Sequence, residues 1–127
     1  MSDVRVLVVD DQEPFRLAMT AVVEATDGFV GLGTAASGEE SLVAAADLRP
    51  DLVLMDVNLP GIDGIEATRM LTSGESPPVV VLLSTYDEDE FSHSGCGATS
   101  YVPKGSFGPE RLVQAWAEAT SRGVPDR

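Results

Sequence analysis

The chain has 127 residues, enough for one domain with a sizeable core. Its formal net charge is −13, which argues against direct binding to nucleic acid or to an anionic membrane, since phosphates need clustered Lys and Arg. No apolar stretch reaches the length of a membrane helix, no signal-peptide pattern opens the chain, and the single cysteine, Cys96, cannot form an internal disulfide; together these predict a cytoplasmic protein. In chain order, the first strand is predicted over about 4–9, the run Val4-Arg5-Val6-Leu7-Val8-Val9, and it ends in Asp10-Asp11. A helix follows over about 14–26, with Phe15, Ala18, Met19, Val22 and Val23 at helical spacing and Pro14 in its first turn. The second strand covers about 30–35. The second helix starts at Ser37-Gly38-Glu39-Glu40, a capping-box pattern, and is expected to turn Leu42, Ala45 and Ala46 inward.

The third strand, about 52–55, ends in Asp56. The third helix covers roughly 63–72 and is closed by Gly74 and Pro77-Pro78. Val79-Val80-Val81-Leu82-Leu83 is the fourth strand, followed by Ser84 and Thr85. The acidic stretch from Tyr86 to Phe91 suits a helix N-terminus, but Ser92–Gly97 offers no apolar stripe and two glycines. The fourth helix is therefore expected to be short or irregular. A fifth strand at about 100–102 precedes Lys104, the only lysine in the chain. The fifth helix, about 108–121, starts with Pro109 and presents Leu112, Val113, Trp116 and Ala119. Three continuously apolar strands imply a parallel sheet covered on both faces. Five successive βα units then predict an α/β, doubly wound sandwich, with residues 1–121 as the domain and 122–127 as a tail or linker.

In such folds the C-terminal ends of the strands share one edge, and ligands bind there. Asp10, Asp11 and Asp56 would converge at that edge. Two adjacent acids repel each other, and a hard cation such as Mg2+ removes that cost. Lys104 at the same edge points to an anionic ligand, most simply a phosphoryl group. Each residue also has an ordinary reading. Asp56 would serve as a turn residue before Pro60-Gly61, one of Asp10 and Asp11 as a helix cap, and Ser84 or Thr85 as a cap before Tyr86. Lys104 would be a surface lysine, and Tyr101 would reflect β propensity on an edge strand. His93 and Cys96 complete no metal site, and Trp116 reads as core.

The acidic pair after the first strand, Asp56 after the third, Ser84 after the fourth and Lys104 after the fifth together resemble the receiver domain of two-component response regulators. The likeness runs from about Val4 to Ala119. Ser84-Thr85-Tyr86-Asp87-Glu88-Asp89-Glu90 with Tyr101-Val102-Pro103-Lys104 is most similar to the NarL/FixJ (LuxR-type) subfamily. The resemblance implies a flavodoxin-like, CheY-like (βα)5 fold with strand order 2-1-3-4-5. It implies Asp56 as the phosphoacceptor, with Mg2+ held by Asp10, Asp11, Asp56 and the backbone carbonyl of Asn58. Ser84 and Lys104 would meet the phosphoryl oxygens, and Ser84 and Tyr101 would switch the output surface. The implied partners are a histidine kinase and, once phosphorylated, a second copy of the chain. Such a domain catalyses its own modification and its slow hydrolysis, without being a conventional enzyme. Control of transcription would pass through a DNA-binding domain outside this chain.

Two departures stand out. Gly105 follows the lysine where the family often has proline, which predicts a looser loop, and the segment between Ser84 and Tyr101 is short and glycine-rich. The rival readings are a phosphorylation-independent interaction module of the same shape and a stand-alone single-domain regulator. An aspartate-nucleophile phosphatase needs a second acid where this chain has Gln12. A flavin-binding flavodoxin needs a Ser/Thr/Gly-rich loop where it has Asp10-Asp11-Gln12-Glu13.

Overall fold

Apolar residues at both parities of each central strand leave no solvent face, so helices must cover both sides of the sheet. The computed structural model, which describes residues 3–74, 76–84 and 100–122, has that architecture. Its elements are β1 (Val4–Val9), α1 (Glu13–Glu24), β2 (Phe29–Ala35), α2 (Gly38–Leu48), β3 (Leu52–Asp56), α3 (Gly64–Leu71), β4 (Val79–Ser84), β5 (Ser100–Pro103), a 3-10 turn (Lys104–Ser106) and α4 (Pro109–Arg122). The strands form one parallel sheet in the order β2-β1-β3-β4-β5. The expected doubly wound α/β sandwich is therefore present. The stretch read as a weak fourth helix, with Thr85, His93 and Cys96, lies outside the described residues.

Alternation along the strands divides the core in two. Leu7, Val9, Val53, Met55, Val80, Leu82 and Tyr101 form one layer with side chains of α2 and α3. Val6, Val8, Leu52, Leu54, Val81, Leu83 and Val102 form the other with side chains of α1 and α4. Leu7, Leu52, Leu54, Leu82 and Leu83 are fully buried, each worth roughly 1.5–3 kcal/mol relative to exposure.

The inward stripes differ from the predicted ones at four positions, one of them Leu42, which is half-buried and outside the core row of α2. In α2 the row facing the core is Ser41, Ala44, Ala45 and Leu48, an i, i+3, i+4, i+7 set, which leaves Ala46 exposed a third of a turn away. In α4 the same spacing selects Leu112, Ala115, Trp116 and Ala119 and leaves Val113 46% exposed. Ala18 lies at the exposed margin of the α1 stripe. Ser37 caps α2 by accepting from the Glu40 amide at 3.0 Å. The Glu40 carboxylate reaches past Ser37 to the Ala36 amide at 2.8 Å, one residue short of a closed capping box.

Gly64 fixes how the β3–α3 connection returns to the sheet. A Cβ on Gly64 would overlap the carbonyl oxygen of Asp56, so only glycine allows the helix to start this close to the strand end. Asp63 caps that helix, accepting from the Glu66 amide at 2.8 Å. Earlier in the connection, Gly61 takes a left-handed φ of 73°, and the Glu39 carboxylate of α2 accepts from the next amide, Ile62, at 3.3 Å.

Candidate functional site

The register of the sheet sets which strand ends meet. Asp10 follows β1 and keeps the ladder going, its amide donating to the Ala35 carbonyl at 3.1 Å. Asp56 is the last residue of β3 and pairs with Leu83. Ser84 is the last residue of β4 and pairs with Pro103, the residue before Lys104. All of these sit on one edge of the sheet.

Ligand oxygens of Asp10, Asp11 and Asp56 lie within 4.8 Å of one another. Asp10 and Asp56 are buried and Asp11 is exposed, so the cluster opens to solvent on one side. Lys104 reaches it from the 3-10 turn. Its Nζ lies 2.7 Å from Asp10 Oδ2 and 3.5 Å from Asp56 Oδ1, with only 9% of the side chain exposed. The contact with Asp10 is an ion pair outside hydrogen-bond alignment, leaving that oxygen without a hydrogen bond among the described residues. Asp10 Oδ1 accepts from the Gln12 amide at 2.9 Å, and Asp56 Oδ1 from the Asn58 amide at 3.3 Å. Neither acid caps α1, because Gln12 holds the cap position.

Burial pushes Asp56 up from 3.8 to about 6, and the neighbouring Asp10 carboxylate adds to the rise. Lys104 and the Asn58 amide oppose it. A buried site with more carboxylates than cations among the described residues is suited to a hard cation. All donors are oxygens, the ligand type Mg2+ prefers.

Tyr101 lies apart from this cluster. Its ring is 4% exposed and belongs to the core layer under α2 and α3. Ser84 is fully buried at its strand end, and Asn58 is exposed. Gly105 lies inside the 3-10 turn without a positive φ, so the turn does not require glycine.

Three residues near the site were not singled out by sequence reasoning. Arg16 donates to the Asp10 carbonyl at 2.9 Å, and Glu39 braces the loop after Asp56. Phe15, read as a core position, places its ring 4.0 Å from Lys104 Nζ. A sequence shows helix periodicity, and none of these contacts has a periodic signature.

A doubly wound parallel sheet in the order 2-1-3-4-5, with acids, a buried hydroxyl and a lysine on its C-terminal edge, defines a CheY-like α/β protein. The pattern of the response regulator receiver domain matches residues 6–117, and the chain belongs to that family. It is 45% identical over 114 residues to the response regulator GacA of Pseudomonas viridiflava, covering 88% of this chain and 53% of that protein. It is 35% identical to the transcriptional regulatory protein LiaR of Bacillus subtilis, covering 96% of this chain and 58% of the other. The chain thus spans about half the length of these curated relatives. The signal receiver domain of NarL from Mycobacterium tuberculosis superposes with a TM-score of 0.85 at 27% identity, covering 95% of this chain and 98% of that one. Among the described residues, no helix is long and apolar enough to cross a membrane.

Proposed function

We propose that this receiver domain, residues 1–121, takes a phosphoryl group onto Asp56 from a phosphohistidine of a partner kinase. The observation that carries this reading is the convergence of Asp10, Asp11 and Asp56 within 4.8 Å, with Lys104 paired to two of them. An Asp56 carboxylate oxygen attacks phosphorus while the P–N bond to the imidazole breaks, so an acyl phosphate forms and the imidazole departs. Asp10, Asp11, Asp56 and the Asn58 carbonyl are the oxygens that would hold Mg2+. Bound there, Mg2+ would neutralise phosphoryl oxygens that otherwise repel a carboxylate nucleophile.

Lys104 supplies the second positive charge, already drawn into the pocket by Asp10. Ser84, one strand over, would donate its hydroxyl to a phosphoryl oxygen. Attraction of Ser84 and Lys104 toward the new dianion is the local event that a switch involving Tyr101 would amplify. On this reading the chain works in the cytoplasm, residues 122–127 lead into a linker, and the downstream output is control of transcription. A homodimer formed on phosphorylation would be the output state.

Incubation with Mg2+ and acetyl phosphate, followed by intact mass, tests the reading against an Asp56→Asn control. One added phosphoryl group that requires Mg2+ and vanishes in the control is the expected result. A folded protein that gains no phosphoryl group and takes up no beryllofluoride would transfer the reading to a phosphorylation-independent interaction module.

A further inference from the structure

Lys104 has a third partner in addition to two acids. Its ammonium stands 4.0 Å from the centroid of the Phe15 ring, inside the roughly 6 Å over which a ring face attracts a cation. The placement follows from the helix. Cα–Cβ bonds tilt toward a helix N-terminus, so a first-turn residue of α1 overhangs the sheet edge at which the helix begins. Phe15 is in that first turn, and Lys104 arrives at the same edge from β5. Below them an apolar cavity of 130 Å³ is lined by Phe15, Met19, Val22, Leu83, Phe107 and Lys104. Apart from Lys104 itself, that wall is aliphatic or aromatic. Among the described residues, the buried ammonium has the two acids and the ring face as partners.

The three contacts respond differently to a phosphoryl group. The ammonium sits closer to Asp10 than to Asp56, at 2.7 Å against 3.5 Å. A dianion on Asp56 shifts the balance of negative charge to the Asp56 side, and the ammonium has to follow. A hydrogen-bonded partner would be lost on such a move. Attraction to a ring face tolerates lateral displacement, because it comes from the quadrupole of the whole ring.

We infer that Phe15 is a positioning residue for Lys104, its ring face keeping the ammonium inside the pocket as it passes from Asp10 toward a phosphoryl group on Asp56. The inference rests on the phosphoacceptor reading above. It gives Phe15 a role that a leucine of similar apolar character cannot fill and that a tyrosine can.

Because Lys104 is the only lysine, lysine labelled with 13C and supplied biosynthetically gives a single side-chain signal set. The experiment compares wild type, Phe15→Leu and Phe15→Tyr in two measurements. The first is the Lys104 Hε chemical shift without added ligand. The second is the affinity for beryllofluoride with Mg2+, followed by 19F NMR, with urea melts confirming that each variant is folded. Ring-current displacement of the Hε signals is expected in wild type and Phe15→Tyr and should vanish in Phe15→Leu. The leucine variant should bind beryllofluoride about three- to thirtyfold more weakly, with tyrosine restoring most of the loss.

Wild-type Hε signals at their ordinary position would show that the ring does not hold the ammonium. Equal affinity of wild type and Phe15→Leu would remove the positioning role while leaving the phosphoacceptor reading intact. Failure of the wild type itself to take up beryllofluoride would overturn both.

Discussion

Replacing Asp56 by Asn should make the metal-free protein more stable at neutral pH. Asp56 is buried beside Asp10, and its carboxyl titrates near 6 in the fold against 3.8 for an unperturbed group. A folded-state value above the unfolded one means that the native state binds the proton more tightly. Asp56 therefore contributes no penalty below about pH 4, and its ionisation destabilises the fold progressively as pH rises from about 4 through about 6. A shift of about two units corresponds to about 3 kcal/mol, as an order of magnitude. Asparagine carries no charge to desolvate, and its carbonyl can still accept from the Asn58 amide, which lies 3.3 Å from Asp56 Oδ1. In EDTA at pH 8 the variant should exceed wild type by about 2–3 kcal/mol, and the gap should close toward pH 4. Urea unfolding followed by Trp116 fluorescence and far-UV circular dichroism measures both curves. A variant less stable than wild type at pH 8, or a gap that does not change between pH 4 and pH 8, would refute the reasoning.

Lys104→Ala removes the cation paired with Asp10 and Asp56, leaving buried charge uncompensated; the metal-free protein at pH 8 should lose about 3 kcal/mol in urea melts. Adding Asp56→Asn to Lys104→Ala should restore part of that loss, since one of the repelling charges is gone. Mg2+ at a hundred times its dissociation constant should stabilise wild type by about 2.7 kcal/mol, and Asp11→Ala should need more Mg2+ for the same gain. Gly64→Ala should cost about 3 kcal/mol in thermal or urea unfolding, because its methyl would displace the Asp56 carbonyl. Ser37→Ala, which removes a helix cap and none of the acids, should cost only about 1 kcal/mol and leave Mg2+ binding unchanged.

The strands and the convergence of their ends were legible because both rest on short-range patterns. An uninterrupted apolar run such as Val79–Leu83 has few alternatives to a buried strand, and a polar residue directly after it must sit at the strand end. The positions of Asp10, Asp56, Ser84 and Lys104 on one edge follow once the sheet is parallel. Which helix residues face inward was less legible. Alanine carries so little hydrophobic signal that Ala44 and Ala46 look alike in the sequence, and only the complete i, i+3, i+4, i+7 row separates them. The environment of Lys104 was not legible at all. Its contact with Phe15 joins residues 89 positions apart, and the local pattern around each gives no sign of the other.

The same pocket explains why charge and fold are coupled here. Three carboxylates gather at one sheet edge, and the two paired with Lys104 are buried with little water to screen them. A wholly apolar edge would be easier to fold, but it would have no use for a cation. Because the ionised pocket is under electrostatic strain, positive charge that enters it stabilises the native state directly. On the proposed reading, a phosphoryl dianion on Asp56 would add negative charge to that side of the pocket and draw Lys104 from Asp10 further toward Asp56. The energy available to move the surrounding chain is the difference between those two arrangements. It scales with burial of Asp10 and Asp56 and falls if either is opened to solvent. Gly64, Glu39 and Phe15 act on that burial or on the position of Lys104 without touching a ligand, so the pocket's response depends on packing as much as on its acids.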